Sequence, residues 1–109
     1  MTMKKILYSI GEVADILHEN VSLVRFWSET FPKFIRPVRN AKGNRMYSAD
    51  DVETLRQIHY LVSTGLTLEG VARRLRDDRA SVAAELKVLD SLKSIRERLV
   101  AVRTSLSGK

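Results

Sequence analysis

Apolar and polar positions divide the chain into segments with different periods. Ser9 reads as a helix N-cap, and Glu12 three residues later completes a capping box. Ile10, Val13, Ala14 and Leu17 then recur at i, i+3, i+4 and i+7, the face of a short helix ending near His18. Asn20 is the next good cap, because its side-chain oxygen can accept from the unpaired N–H groups of a following turn. Val21, Val24 and Trp27 share one face of a second helix, which Pro32 stops. Two short helices joined by so tight a turn predict a helix-turn-helix.

Between Pro32 and Ser48 the helical period disappears. Ile35–Arg39 and Asn44–Tyr47 read as two extended stretches joined by Asn40-Ala41-Lys42-Gly43, residues suited to a hairpin turn. Ser48 caps a third helix with Asp50, Asp51 and Glu53 in its first turn, where the helix dipole favours acids. Its apolar face is Val52, Leu55, Ile58, Leu61 and Val62, and Gly65 ends it. Thr67 opens a fourth helix whose face is Leu68, Val71, Ala72 and Leu75.

From Ala80 to Leu106 there is no Gly or Pro, so one long helix of roughly 40 Å is predicted. Val88, Leu92, Ile95, Leu99, Val102 and Leu106 are spaced 4-3-4-3-4, a heptad seam. Val82, Leu86 and Leu89 follow another register and are expected to pack on the globular part. The seam outruns the core that the rest of the chain can build, so a second copy is the simplest cover for it. The spacing reads the same in both directions, and Arg96, Arg98 and Arg103 repel in either, so the direction of pairing stays open.

Composition narrows the function. The chain has 109 residues, one domain's worth, with 19 Lys plus Arg, 13 Asp plus Glu and a net charge of +6. The absence of cysteine removes disulfides, thiolate metal sites and thiol catalysis together. No long apolar run suggests a membrane span, and the apolar part of the N-terminus is too short for a signal peptide. A cytoplasmic protein is expected, with no metal site and no cofactor. The excess charge is local: residues 35–48 hold Arg36, Arg39, Lys42 and Arg45 with no acid, and residues 79–109 carry a balance of +4. Such patches suit a polyanion, although a merely solvated face has the same composition.

Four motifs in register carry a resemblance to the MerR (mercury-resistance regulator) family of bacterial transcription regulators. They are Tyr8-Ser9-Ile10-Gly11-Glu12-Val13-Ala14, the run Asn20 to Trp27, Lys42-Gly43-Asn44-Arg45-Met46-Tyr47-Ser48 followed by Asp51-Val52, and Gly65-Leu66-Thr67-Leu68-Glu69. The resemblance covers Tyr8 to Leu75. It implies a mainly α fold: a winged helix-turn-helix with a two-stranded hairpin wing, a second helix pair and a long dimerisation helix paired as an antiparallel coiled coil. The expected division is 1–78 for DNA binding and 79–109 for dimerisation.

Carried over onto this sequence, the resemblance places Val21, Ser22, Arg25 and Phe26 of the second helix at double-stranded DNA. Arg36, Arg39, Asn40, Lys42, Arg45 and Tyr47 fall on or beside the wing. Residues at the front of such a helix reach base edges, whereas hairpin cations mainly hold phosphate. Trp27 reads as core. Tyr47 reads as packed at the wing's base in preference to phosphate contact, and Arg45 stays open between bracing the hairpin and touching DNA. His18 and His59 read as ordinary imidazoles. Two departures from the family pattern matter: Phe26 lacks a phosphate-binding hydroxyl, and Glu19 brings a negative charge near the expected phosphate surface.

The expected function is a homodimeric, sequence-specific transcription regulator on a pseudo-palindromic site, acting by bending and untwisting promoter DNA. RNA polymerase is a partner the resemblance implies, and a bacterial, nucleoid-associated location goes with it. Lacking cysteine ligands and a domain after the long helix, the chain is expected to bind no effector. An excisionase-like architectural protein and a coiled-coil adaptor are the alternatives. An enzyme is not expected, since with no cysteine, no paired carboxylates in a plausible cleft and no phosphate loop nothing supplies a reaction.

Overall fold

The computed structural model describes residues 7–107. In chain order it comprises β1 (Leu7–Ser9), α1 (Ile10–Leu17), α2 (Val21–Thr30), β2 (Val38–Arg39), β3 (Arg45–Ser48), α3 (Ala49–Ser63), α4 (Leu68–Asp77) and α5 (Arg79–Ser107). Each of the first four helices starts at a side-chain cap. Ser9 and Glu12 form a reciprocal box, with Ser9 Oγ accepting from Glu12 N at 3.2 Å and Glu12 Oε1 accepting from Ser9 N at 2.9 Å. Asn20 Oδ1 accepts from Leu23 N at 2.8 Å, and Thr67 Oγ1 from Gly70 N at 3.1 Å. A second box joins Ser48 and Asp51, and Asp51 Oδ1 also accepts from Arg36 N at 3.0 Å, tying the loop after α2 to the start of α3.

The hairpin wing is present, but the sheet has three strands where two were expected. β3 lies in the centre, antiparallel to β2 through Val38↔Met46 and Arg39↔Arg45, and to β1 through Leu7↔Ser48 and Ser9↔Met46. The added strand follows from the cap at Ser9, whose extended backbone (φ −73, ψ 162) lets the residues before it run on as a strand. The expected extended run from Ile35 shortens to two residues. Ile35 N instead donates to Phe31 O at 3.0 Å, closing a turn below α2, and Pro37 has no N–H for a ladder.

One core joins these elements. Val13 and Leu17 of α1 meet Val24 and Trp27 of α2, and Leu55, Ile58 and Leu61 of α3 run through the middle. Val71 and Leu75 of α4 and Val82 of α5 close the far side. Trp27 is 3% exposed, as its reading as core requires. Beyond Leu86 the long helix leaves the core, and Val88, Leu92, Ile95, Leu99 and Val102 are 46–65% exposed. Leu106 lies outside the residues whose side chains are described. Polar clamps set the angle at which α5 departs: Arg74 Nη2 donates to Glu85 Oε2 at 2.8 Å, Tyr60 Oη to Glu85 Oε1 at 2.7 Å, and Arg56 Nη2 to Asp90 Oδ2 at 2.7 Å.

Candidate nucleic-acid interface

The turn between α1 and α2 is three residues, His18-Glu19-Asn20. His18 takes the left-handed conformation (φ 57), which ends α1 at once, and Glu19 N returns to Ala14 O at 2.9 Å. With Val24, Trp27 and Ser28 buried, the outward face of α2 is Ser22, Arg25, Phe26 and Glu29. Val21 is half-buried and packs against the core cluster, whereas Phe26 is 49% exposed. The expected penalty from Glu19 is softened, because its carboxylate turns away towards α3 and lies 2.9 Å from His59 Nε2. His59 in turn meets Trp27 edge-on, with ring centroids 5.9 Å apart.

The wing is built by its own side chains. Asn40 N donates to Asn44 O and Gly43 N to Asn40 O, both at 2.9 Å, with Gly43 at φ +83 supplying the left-handed turn residue. Asn40 Oδ1 accepts from Lys42 N at 2.9 Å and Asn44 N at 3.0 Å, so its oxygen is occupied within the turn. Arg39 Nη1 donates to Gly43 O at 2.7 Å across the loop. Lys42 projects from the tip, exposed, and the Arg36 side chain is also exposed.

Arg25 of α2 and Arg39 and Arg45 of the wing line one groove of about 420 Å³, together with Ser9, Ile10, Gly43 and Asn44. Among the described residues no carboxylate lines it. The N-terminus of α1 lines it at Ser9 and Ile10, where the Glu12 carboxylate of the capping box offsets the positive end of the helix dipole. Two residues expected at the interface are placed differently from the rest. Tyr47 is fully buried, with its hydroxyl 2.8 Å from Ser28 Oγ, so its placement at DNA is corrected: no ligand surface reaches it. Arg45, left open above, bridges the wing to the helix, its Nη2 donating to Glu29 Oε2 at 3.0 Å. That hydrogen bond, and to a lesser extent Tyr47, hold the Arg45 guanidinium more firmly protonated than usual.

Glu29, which meets Arg45 beside the groove, is a residue that the sequence did not single out. A signal was there, since it is the one acid within α2 and lies four residues from Arg25, on the same side of the helix. Among the described residues no group of three or more metal-ligand side chains converges, and no helix is long and apolar enough to cross a membrane.

Residues 8–78 match the family model described as MerR HTH family regulatory protein. The chain is 27% identical over 89 residues to the regulator protein TubY of Clostridium botulinum C phage, covering 81% of this chain and 37% of that one. It is 28% identical over 76 residues to the HTH-type transcriptional regulator MlrA of Escherichia coli K12, covering 70% of this chain and 31% of that one. The chain thus spans about a third of the length of these curated relatives. Among solved structures, the fold is similar to HiNmlR, described as a MerR family regulator lacking the sensor domain, bound to promoter DNA. The TM-score is 0.56 at 17% identity, with 94% of this chain and 89% of that one covered.

Proposed function

The chain belongs to the MerR family of helix-turn-helix transcriptional regulators, and from that premise we propose that it binds double-stranded DNA as a homodimer and reads a pseudo-palindromic site. The observation that carries this reading is the groove between α2 and the wing, where Arg25, Arg39 and Arg45 converge, Arg45 being the one held by a carboxylate, that of Glu29. Arg guanidinium groups suit phosphate because their planar forks donate in pairs.

In this reading Ser22, Arg25 and Phe26 face the major groove, with Val21 at the edge of that surface. Arg25 reaches a base edge or the phosphate beside it. Arg36, Arg39 and Lys42 hold the flanking backbone. Asn40 acts by shaping the turn that presents Lys42, and Arg45 contributes through the groove it lines. The exposed stripe Val88, Leu92, Ile95, Leu99 and Val102 pairs with a second copy, continued by Leu106, and the two wings then address two half-sites. Two such units held by one rigid connection suit a duplex bent and untwisted between them. RNA polymerase at a promoter is the partner that such a deformation would serve.

Salt titration tests the reading against an adaptor role. Binding that neutralises several phosphates weakens log-linearly with salt, with a slope of about −0.9 per phosphate contact. A steep linear slope with duplex DNA supports the proposal, and absence of duplex affinity at low salt overturns it.

A further inference from the structure

The outward face of α2 carries one acid, and the fold does not require it there. α2 holds two charged residues, Arg25 and Glu29, so the helix is neutral, while residues 35–48 of the wing segment hold four cations and no acid. Glu29 is not a cap, and its side chain is 60% exposed. Its carboxylate binds Arg45, whose side chain is 21% exposed. Arg45 Nη1 is buried and makes no hydrogen bond of good geometry. An acid from the helix therefore neutralises the most enclosed cation of the wing, in a rotamer that leaves one nitrogen unsatisfied.

Such a hold can be exchanged. A partly exposed ion pair is weakened by water and salt, and an unsatisfied guanidinium nitrogen weakens this one further. A DNA phosphate competes with Glu29 for the same guanidinium. The exchange is opposed, because it leaves the freed carboxylate facing a phosphate.

We propose that Glu29 is an affinity-setting residue: it withholds Arg45 from phosphate and so lowers affinity for duplex DNA of any sequence. The inference rests on the groove being a DNA surface, as argued above. Phosphate contacts carry no sequence information, so one cation withheld lowers affinity for arbitrary and target duplex by about the same factor. Binding at the target also draws on base-edge contacts from the front of α2, which do not involve Glu29.

The test compares the full chain with its Glu29→Gln variant, which keeps size and removes charge at an exposed position. Each protein is titrated over a range of salt with a duplex enriched from a random pool and with a scrambled duplex of equal composition. For the variant, affinity for the scrambled duplex rises about fivefold at low salt, the scale of one screened ion pair. Its salt slope steepens by about one contact. Affinity for the enriched duplex rises by about the same factor, so the ratio between the two stays unchanged. In an Arg45→Gln background, Glu29→Gln no longer steepens the slope, because no cation remains to be released.

Three results would overturn the inference while leaving DNA binding intact. These are no gain on either duplex, a gain confined to one duplex, and a steeper slope that persists without Arg45. A wild-type chain that binds neither duplex overturns the reading of the groove, and the role of Glu29 with it.

Discussion

The Tyr47 hydroxyl lies 2.8 Å from Ser28 Oγ, in the core between β3 and α2. Ser28 has one hydroxyl proton, and it points at Val24 O, 2.7 Å away. Tyr47 is therefore the donor and Ser28 Oγ the acceptor. One residue further along α2 and two back along β3, Glu29 meets Arg45 at 3.0 Å. The wing and the helix beside it are thus fastened twice, once in the core and once at the surface.

The inner fastening should respond asymmetrically to mutation. Tyr47→Phe removes one hydrogen bond and leaves Ser28 bonded to Val24 O, at a cost of about 1 kcal/mol. Ser28→Ala leaves a buried tyrosine hydroxyl without an acceptor, which costs about 1–3 kcal/mol. Denaturant unfolding of both variants should rank Ser28→Ala as the less stable. The opposite order would mean that Tyr47 finds another partner.

α2 and the wing should differ in what they read. Arg25→Ala is expected to cost about 1–3 kcal/mol of binding and to relax preference at one base position. Lys42→Ala should weaken all duplexes alike and flatten the salt slope by about one contact. Fluorescence anisotropy on a panel of single-base variants separates these outcomes. Unchanged affinity in Arg25→Ala would move the reading surface away from α2.

The seam on α5 can be broken without touching the core. Leu99 is 65% exposed in the single chain, so Leu99→Asp should leave each chain folded. In a paired helix it would place a charge opposite an apolar residue. Light scattering should show a dimer for the native chain and a monomer for the variant. An unchanged mass would remove the seam as the interface.

Acid should loosen the junction of α4 and α5. Hydrogen bonds from Arg74, and next from Tyr60, hold Glu85 below its ordinary carboxyl pKa of 4.5. A depressed carboxyl contributes stability that is present above its unfolded pKa and is lost as the pH falls through the folded value. Glu85→Gln should therefore lower the melting temperature near neutrality, and the difference should shrink as the pH falls below 4.5. Melting curves of the two proteins across that range would expose a difference that fails to shrink in acid.

Much of this arrangement is legible in the sequence because local chemistry dictates it. The caps at Ser9, Asn20, Ser48 and Thr67 each act on a backbone N–H three residues away, so spacing alone reveals them. The stripe of Leu55, Ile58 and Leu61 is likewise set by helical period. Partners far apart in sequence carry no such mark. β1 pairs with β3 across some forty residues, and its three positions are too few to show alternation. Glu29 meets Arg45 only because the turn after α2 folds the wing back against that helix, so counting charge by segment assigned Arg45 wholly to the basic patch. Tyr47 was readable as packed from its place at the wing's base, but its acceptor, Ser28, was not.

Selection of bound duplexes from a random pool tests the central claim most directly, since it reports sequence preference and dimer geometry together. The account predicts enrichment of an inverted repeat with a fixed distance between its halves, and relaxed preference at one position of each half when Arg25 is replaced by Ala. Recovery of an unenriched pool, or of a single unrepeated half, would contradict it.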